Sequence, residues 1–160
     1  MSKYHMHKKE REITNSEDIS KILKQGKYAV IAMCRDSEPY AVTLSYGYDL
    51  ENNALYFHSA KEGLKIDFII VNPNVCATVI EDLGYIAGQC AHSYTSVVIW
   101  GKMSVVENLE EKKRAMDLMI NHLEENPNEV KAKLIKNNDR YEGVGILRLD
   151  IDEITGKKGN

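Results

Sequence analysis

Residues 39–48 read Pro-Tyr-Ala-Val-Thr-Leu-Ser-Tyr-Gly-Tyr, alternating large with small side chains without a break. In an extended strand successive side chains point to opposite faces, so Tyr40, Val42, Leu44, Tyr46 and Tyr48 share one face. Ala41, Thr43, Ser45 and Gly47 share the other. A helix would scatter both sets around its circumference, so the period alone requires a strand with its large face on a core.

The neighbouring segments extend this pattern. Asp49 to Asn53 carries the Asp and Asn residues that a hairpin turn needs, and Ala54 to His58 resumes as a strand, so the two are expected to pair antiparallel. Upstream, Tyr28 to Met33 is a short apolar run before a turn at Asp36. Val75 to Ile80, Ser96 to Val106 and Val144 to Ile154 are further strand candidates, with a loop of small and polar residues expected from Glu81 to Tyr94. Three helices fit between them. One starts at Asn15-Ser-Glu-Asp18, whose short polar side chains can cap it, with Ile19, Ile22 and Leu23 as its stripe. A second carries Leu64, Phe68 and Val71 and stops before Pro73. A third opens on the capping box Asn108-Leu-Glu-Glu111, buries Leu109, Met116, Ile120 and Leu123, and ends at Asn126-Pro127; a weaker amphipathic stretch lies around Val130 and Leu134. About six strands with few helices between them imply a mainly β, antiparallel barrel with helical additions, since parallel strands would need a crossover between most pairs.

Composition narrows the class. The 160 residues carry 21 basic and 24 acidic side chains and 43% hydrophobic residues, an ordinary globular balance. One domain spanning residues 1–160 is expected, with a polar N-terminal arm over 1–12 and a C-terminal tail over 155–160. A net charge of −3 offers no basic stripe for nucleic acid. No apolar run approaches the ~20 residues of a membrane-spanning helix, and the polar start Met1 to Arg11 lacks the apolar segment of a secretory signal, so a cytoplasmic protein is expected. Cys34, Cys76 and Cys90 are odd in number and widely spaced, which suggests reduced thiols and no zinc site.

The chemistry concentrates in Leu55-Tyr-Phe-His-Ser-Ala-Lys-Glu-Gly-Leu-Lys-Ile-Asp67, where a strand turns into a helix. Free amides at a helix start attract anions. Ser59 can add a hydroxyl, Gly63 lets backbone come close, and Lys61 and Lys65 offer ammonium groups, a set that suits a phosphate monoester. The bland alternative is that Ser59 caps the helix, Gly63 relieves a turn and the lysines are solvated. No Walker loop or dinucleotide fingerprint occurs. The small face of residues 41–47 leaves two readings of its own: a wet side of the sheet, or a bed for a flat aromatic ring bonded by backbone, Thr43 or Ser45.

Pro39 to Tyr48, Leu55 to Asp67 and Asn72-Pro-Asn-Val75 together closely resemble the flavin-binding split barrels related to pyridoxamine 5'-phosphate oxidase. The nitroimidazole-resistance branch is nearest, through Lys8 to Ile13 and the strand Ser96-Val-Val-Ile-Trp-Gly101. The resemblance covers residues 8 to 157 and implies a six-stranded antiparallel split β-barrel that forms a homodimer with FMN at the subunit interface. By that analogy Val42, Thr43, Leu44 and Ser45 line the flavin ring, while Ser59, Lys65 and the amides near Ala60 and Gly63 hold the phosphate. Ser96 would reach the flavin from the partner, and Lys157 would approach the site. His58 falls where the resistance branch places a histidine near the substrate, which makes it the catalytic candidate; otherwise it closes a strand end. The implied activity is an FMN-dependent oxidoreductase reducing a small electron-poor substrate such as a nitro compound.

The oxidases end in a tryptophan and an arginine that bind their vitamin substrate, whereas Trp100 is the sole tryptophan here and Arg148-Leu149 stands in another setting, so true oxidase activity is not expected. FAD in place of FMN, a flavin carrier without turnover, and a haem-binding barrel with His58 or His92 as axial ligand are the alternatives. His5-Met-His7 and Cys90-Ala-His92 each offer two metal ligands with no evident third, so no metal is expected.

Overall fold

The computed structural model describes residues 6–159. A two-residue strand β1 (Glu12–Ile13) leads to helix α1 (Ser16–Gln25), which begins where the Asn15 side chain accepts a 2.8 Å hydrogen bond from the Glu17 amide. Strands β2 (Tyr28–Arg35) and β3 (Glu38–Asp49) form a hairpin through Asp36 and Ser37, both at positive φ, and β4 (Ala54–Ser59) follows. Helix α2 (Leu64–Val71) precedes β5 (Asn74–Ile86) and β6 (Ala91–Val105). Helices α3 (Leu109–Leu123), α4 (Pro127–Leu134) and α5 (Asn138–Gly143) then lead to β7 (Gly145–Lys158).

The strands run in the order β1-β7-β4-β3-β2-β5-β6, and β7 also pairs with β6, so six strands close an antiparallel ring with β1 added on β7. Ring closure removes the exposed edges an open sheet would present. Inside, Ala29, Ile31 and Met33 of β2 meet Tyr46, Leu55, Phe57, Val97, Ile99 and Leu147 in one core. A second cluster lies outside the ring, where Ala115 and Met119 of α3 cover Tyr56 and Ile146. β4 is therefore buried on both faces, and His58 is its one exposed residue. Among the described residues no helix is long and apolar enough to cross a membrane.

Several boundaries differ from the sequence expectation. The anticipated loop over 81–94 is mostly ladder: pairing runs to Asp82↔Tyr94 and resumes at Tyr85↔His92, leaving a tight turn. Gly84, Gly88 and Cys90, all at positive φ, absorb the curvature that the small-residue composition had suggested was irregular. The C-terminal stretch from residue 155 continues β7, because Thr155 to Lys158 pair with Val98 to Thr95 and Gly156 admits Ile13 of β1. Within the expected polar arm, Glu12 joins that strand. Pro127 opens α4 at a position where its missing N–H is harmless, and α3 stops earlier, at Leu123. In α3, Ala115 and Met119 join Ile120 in the buried face, while Leu109, Met116 and Leu123 are half-buried.

Candidate functional site

β3 and β4 share a ladder only from Asp49↔Ala54 to Tyr46↔Phe57. Beyond that pair the strands part, β3 staying with β2 while His58 and Ser59 pair with β7 alone. Ser45 and His58 stand one residue past the last shared pair, and both are exposed at this fork. Tyr46 and Phe57 point into the core, so strand alternation turns Ser45 and His58 outward.

From the fork the chain runs through Ser59 to Gly63, the N-cap of α2, which sits at φ 127 and supplies no side-chain cap. Its carbonyl accepts from the Ile66 and Asp67 amides at 2.9 and 3.1 Å. The amides of Leu64 and Lys65 thus have no acceptor within the helix, and they carry its partial positive charge. Ser59 does not cap α2. It is 6% exposed, and its hydroxyl donates to the Ala60 carbonyl at 2.8 Å. Lys61 is exposed and Lys65 half-buried, and neither has an ion-pair partner among the described residues.

β7 braces this turn from behind. Gly145 pairs with Ser59, and a Cβ at that position would stand 2.5 Å from the Ser59 carbonyl oxygen and 2.7 Å from that of Ala60. Only glycine allows so close an approach. A cavity of about 450 Å³ opens here, with His58, Lys61, Asp139, Arg140 and Gly145 in its lining. Sequence reasoning missed Arg140 and Gly145. The one pointer was a pair of glycines, Gly143 and Gly145, just before the last strand.

Two rows of the outer sheet face beside the fork are poor in charge. One row runs Thr43–Val30–Thr78–Val98–Thr155 across five strands, and the next runs Ala41–Ala32–Cys76–Trp100–Glu153. None of these ten residues is buried, and Glu153 is the one ionisable carboxylate or cation among them. Val42 and Leu44 point the other way and pack against the core, so only their backbone reaches the outer face. Ser96 lies on β6 opposite both Ile80 and Lys157, three strands from Ser45, and one chain does not bring it to the turn.

Behind β4, a polar cluster fastens α3 to the ring. The Tyr56 hydroxyl donates to Glu111 Oε1 at 2.9 Å, and Arg148 Nη1 donates to the same oxygen at 2.8 Å. Burial and the bond to Glu111 push the Tyr56 phenol up to about 12. Burial also works to raise the Glu111 carboxyl, but the bonds from Arg148 and Tyr56 outweigh it and hold that carboxyl below its ordinary value. Arg148, noted in the sequence for its position, is structural. His92 Nε2 meets Asp82 Oδ1 at 2.6 Å on the β5–β6 hairpin, and His7 is exposed; His5 lies outside the described residues. Among the described residues no three His, Cys, Asp or Glu side chains converge as metal ligands.

Comparisons with known proteins agree with this architecture. Residues 15–158 match the family described as pyridoxamine 5'-phosphate oxidase. The solved structure of a candidate 5-nitroimidazole antibiotic resistance protein from Bacteroides thetaiotaomicron VPI-5482 superposes with a TM-score of 0.75 at 26% identity, covering 98% of this chain and 96% of that one. A flavocytochrome from Azotobacter vinelandii superposes with a TM-score of 0.79 at 15% identity, covering 97% and 72%, a likeness of fold alone. An uncharacterised protein of Rhizobium meliloti (strain 1021) is 33% identical over 69 residues, which span 43% of this chain and 44% of that protein. Because the family match runs through every strand of the closed ring, this chain belongs to the pyridoxamine 5'-phosphate oxidase family and has its split-barrel fold.

Proposed function

We propose that the protein is a flavin-dependent oxidoreductase that binds FMN at the fork between β3 and β4 and reduces a small electron-poor substrate such as a nitro compound. The carrying observation is the uncapped start of α2, with Lys65 unpaired among the described residues, beside two partly exposed rows of the sheet that hold one charged residue in ten. An anionic tail suits the first feature and a flat apolar ring the second. FMN joins those two chemistries in one molecule, and the residues present fit it.

On this reading Ser59, Lys65 and the amides near Ala60 and Gly63 hold the phosphate, while Thr43, Ser45 and the backbone of Val42 and Leu44 lie against the ring. A bound flavin supplies the electron chemistry, and the protein supplies position and exclusion of water. Nitro reduction consumes protons. His58 is exposed one residue past the last β3–β4 pair and its side chain has no hydrogen-bond partner among the described residues, so it is placed to donate a proton to a substrate stacked over the ring. Two copies of the chain, packed through the neutral face, would let Ser96 of each complete the other's site. The reading also places the protein in the cytoplasm, where its free thiols stay reduced.

The test is a visible spectrum of the purified protein with mass spectrometry of whatever small molecule it releases. Flavin absorption that NADH or NADPH bleaches and a nitroimidazole restores is the expected result. A protein that takes up neither FMN nor FAD in titration refutes the proposal, and a flavin that no donor reduces makes it a carrier.

A further inference from the structure

Among the described residues Arg140 is the one arginine without a hydrogen bond or an ion pair. Arg35 pairs with Glu38, Arg114 with Asp49, and Arg148 with Glu111 and Asp150, while Arg11 is also engaged. Arg140 lines the cavity next to the α2 turn together with Lys61, which is likewise unpaired. Asp139 is the one carboxylate in that lining, so its charge is net positive even with His58 neutral. A guanidinium presents its donors as a planar fork that matches a phosphoryl group with two parallel bonds.

Size separates this cavity from a simple phosphate site. Its volume of about 450 Å³ falls in the range of small-molecule pockets, about 300 to 1,000 Å³, and far exceeds one phosphoryl group. Lys65 and the α2 amides already serve a monophosphate at the turn. Arg140 approaches from a separate element, α5, beyond the Gly145 brace. Two cationic walls around a space larger than one phosphate suit a ligand with two linked phosphates.

We propose that the cavity between the α2 turn and α5 is a pyrophosphate subsite, in which Arg140 and Lys61 hold the second phosphoryl group of a dinucleotide. The inference rests on the α2 turn being the flavin phosphate site. Two dinucleotides offer that group: FAD in place of FMN, or the reduced nicotinamide donor.

The experiment measures dissociation constants of inorganic pyrophosphate, FMN and FAD, and the KM for NADPH, in wild type and Arg140→Gln. Arg140 is exposed, so its loss should leave the melting temperature unchanged. Pyrophosphate should bind the wild type and weaken about tenfold in the variant, while FMN affinity holds. A parallel loss for FAD identifies the cofactor as the source; a rise in KM for NADPH with kcat kept identifies the donor. Arg140→Lys keeps the charge without the fork and should fall between. Equal weakening of FMN and FAD overturns the proposal, because Arg140 then belongs to the monophosphate cage. Pyrophosphate affinity indifferent to the substitution, or absent in the wild type, overturns it too, as does a variant in which neither dinucleotide changes. Failure of the flavin reading looks different: the wild type then binds no flavin, and the pyrophosphate titration still decides the subsite.

Discussion

Gly145→Ala probes how the proposed phosphate turn is held without replacing any residue proposed to contact the phosphate. An alanine Cβ there meets the Ser59 and Ala60 carbonyl oxygens at 2.5 and 2.7 Å, where ordinary contact begins at 3.4 Å. Both obstacles are backbone, so no side chain can swing aside; the turn must retreat by about 0.9 Å or the end of β7 must lift. Overpacking of this kind typically costs about 1 to 3 kcal/mol of stability. The same displacement exceeds the tolerance of a hydrogen bond, and a lost charge-assisted bond to phosphate, worth about 1.5 to 3 kcal/mol, lowers FMN affinity about tenfold or more. Gly143→Ala is the control, since nothing lies within 4 Å of a Cβ there and that residue ends α5, where alanine is no worse than glycine. Urea unfolding gives the stability difference, and quenching of flavin fluorescence gives the affinity. Indistinguishable behaviour of the two variants would refute the bracing argument. Lost stability with intact FMN affinity would show that this turn does not set binding.

Lys65→Ala should weaken FMN by about tenfold or more in a calorimetric titration, since it removes a charge-assisted bond; unchanged affinity puts the phosphate elsewhere. His58→Ala should leave flavin affinity intact and slow steady-state turnover with a nitro substrate, and equal turnover reduces His58 to the end of a strand. Glu111→Gln addresses the α3 clamp through pH. The Glu111 carboxyl sits below its ordinary value of 4.5, so its stabilisation is complete above that pH and drains away as pH falls through the lower, folded-state value. The variant should therefore be less stable than wild type near neutrality and converge with it in acid. A stability gap that stays constant from neutral to acidic pH contradicts that account.

The alternation in residues 39–48 made the ring's central strand legible, because a period of two has one structural meaning. Helix caps at Asn15 and Asn108 were legible for a similar reason: a short polar side chain before an apolar period has a definite task, and both accept the expected amide bond. The β5–β6 hairpin was misread because its composition is that of a loop. Glycine and Ser/Asp content marks a turn but not where the ladder on either side of it stops, and only cross-strand pairing settles that. Arg140 was illegible for a deeper reason. Nothing in α5 has a period, and the meaning of that guanidinium lies in a cavity whose other wall, His58 to Lys61, is about eighty residues away in sequence. Gly145 was hidden likewise, since close approach is a property of two strands and neither one alone reveals it.

On the proposed reading, the fork is what lets a closed barrel offer a binding surface. A ring with every pair laddered to its ends would present continuous hydrogen-bonded strands and no free donors at the level of Ser45. Here β4 leaves β3 after Phe57 because α2 must start within a few residues, and the uncapped amides appear where that departure occurs. The separation also fixes a limit. Ser45 and Ser96 share the outer face but stand three strand steps apart, about 14 Å along the sheet. One chain therefore cannot place both against the same edge of a ring. On the proposed reading each fork must receive Ser96 from a second copy, and two-fold symmetry supplies that contact twice at once. The two neutral rows beside the line that runs from Ser45 through Tyr28 and Ile80 to Ser96 are then part of what such a pair would bury, and their one carboxylate in ten residues fits a contact between copies better than a surface meant for water.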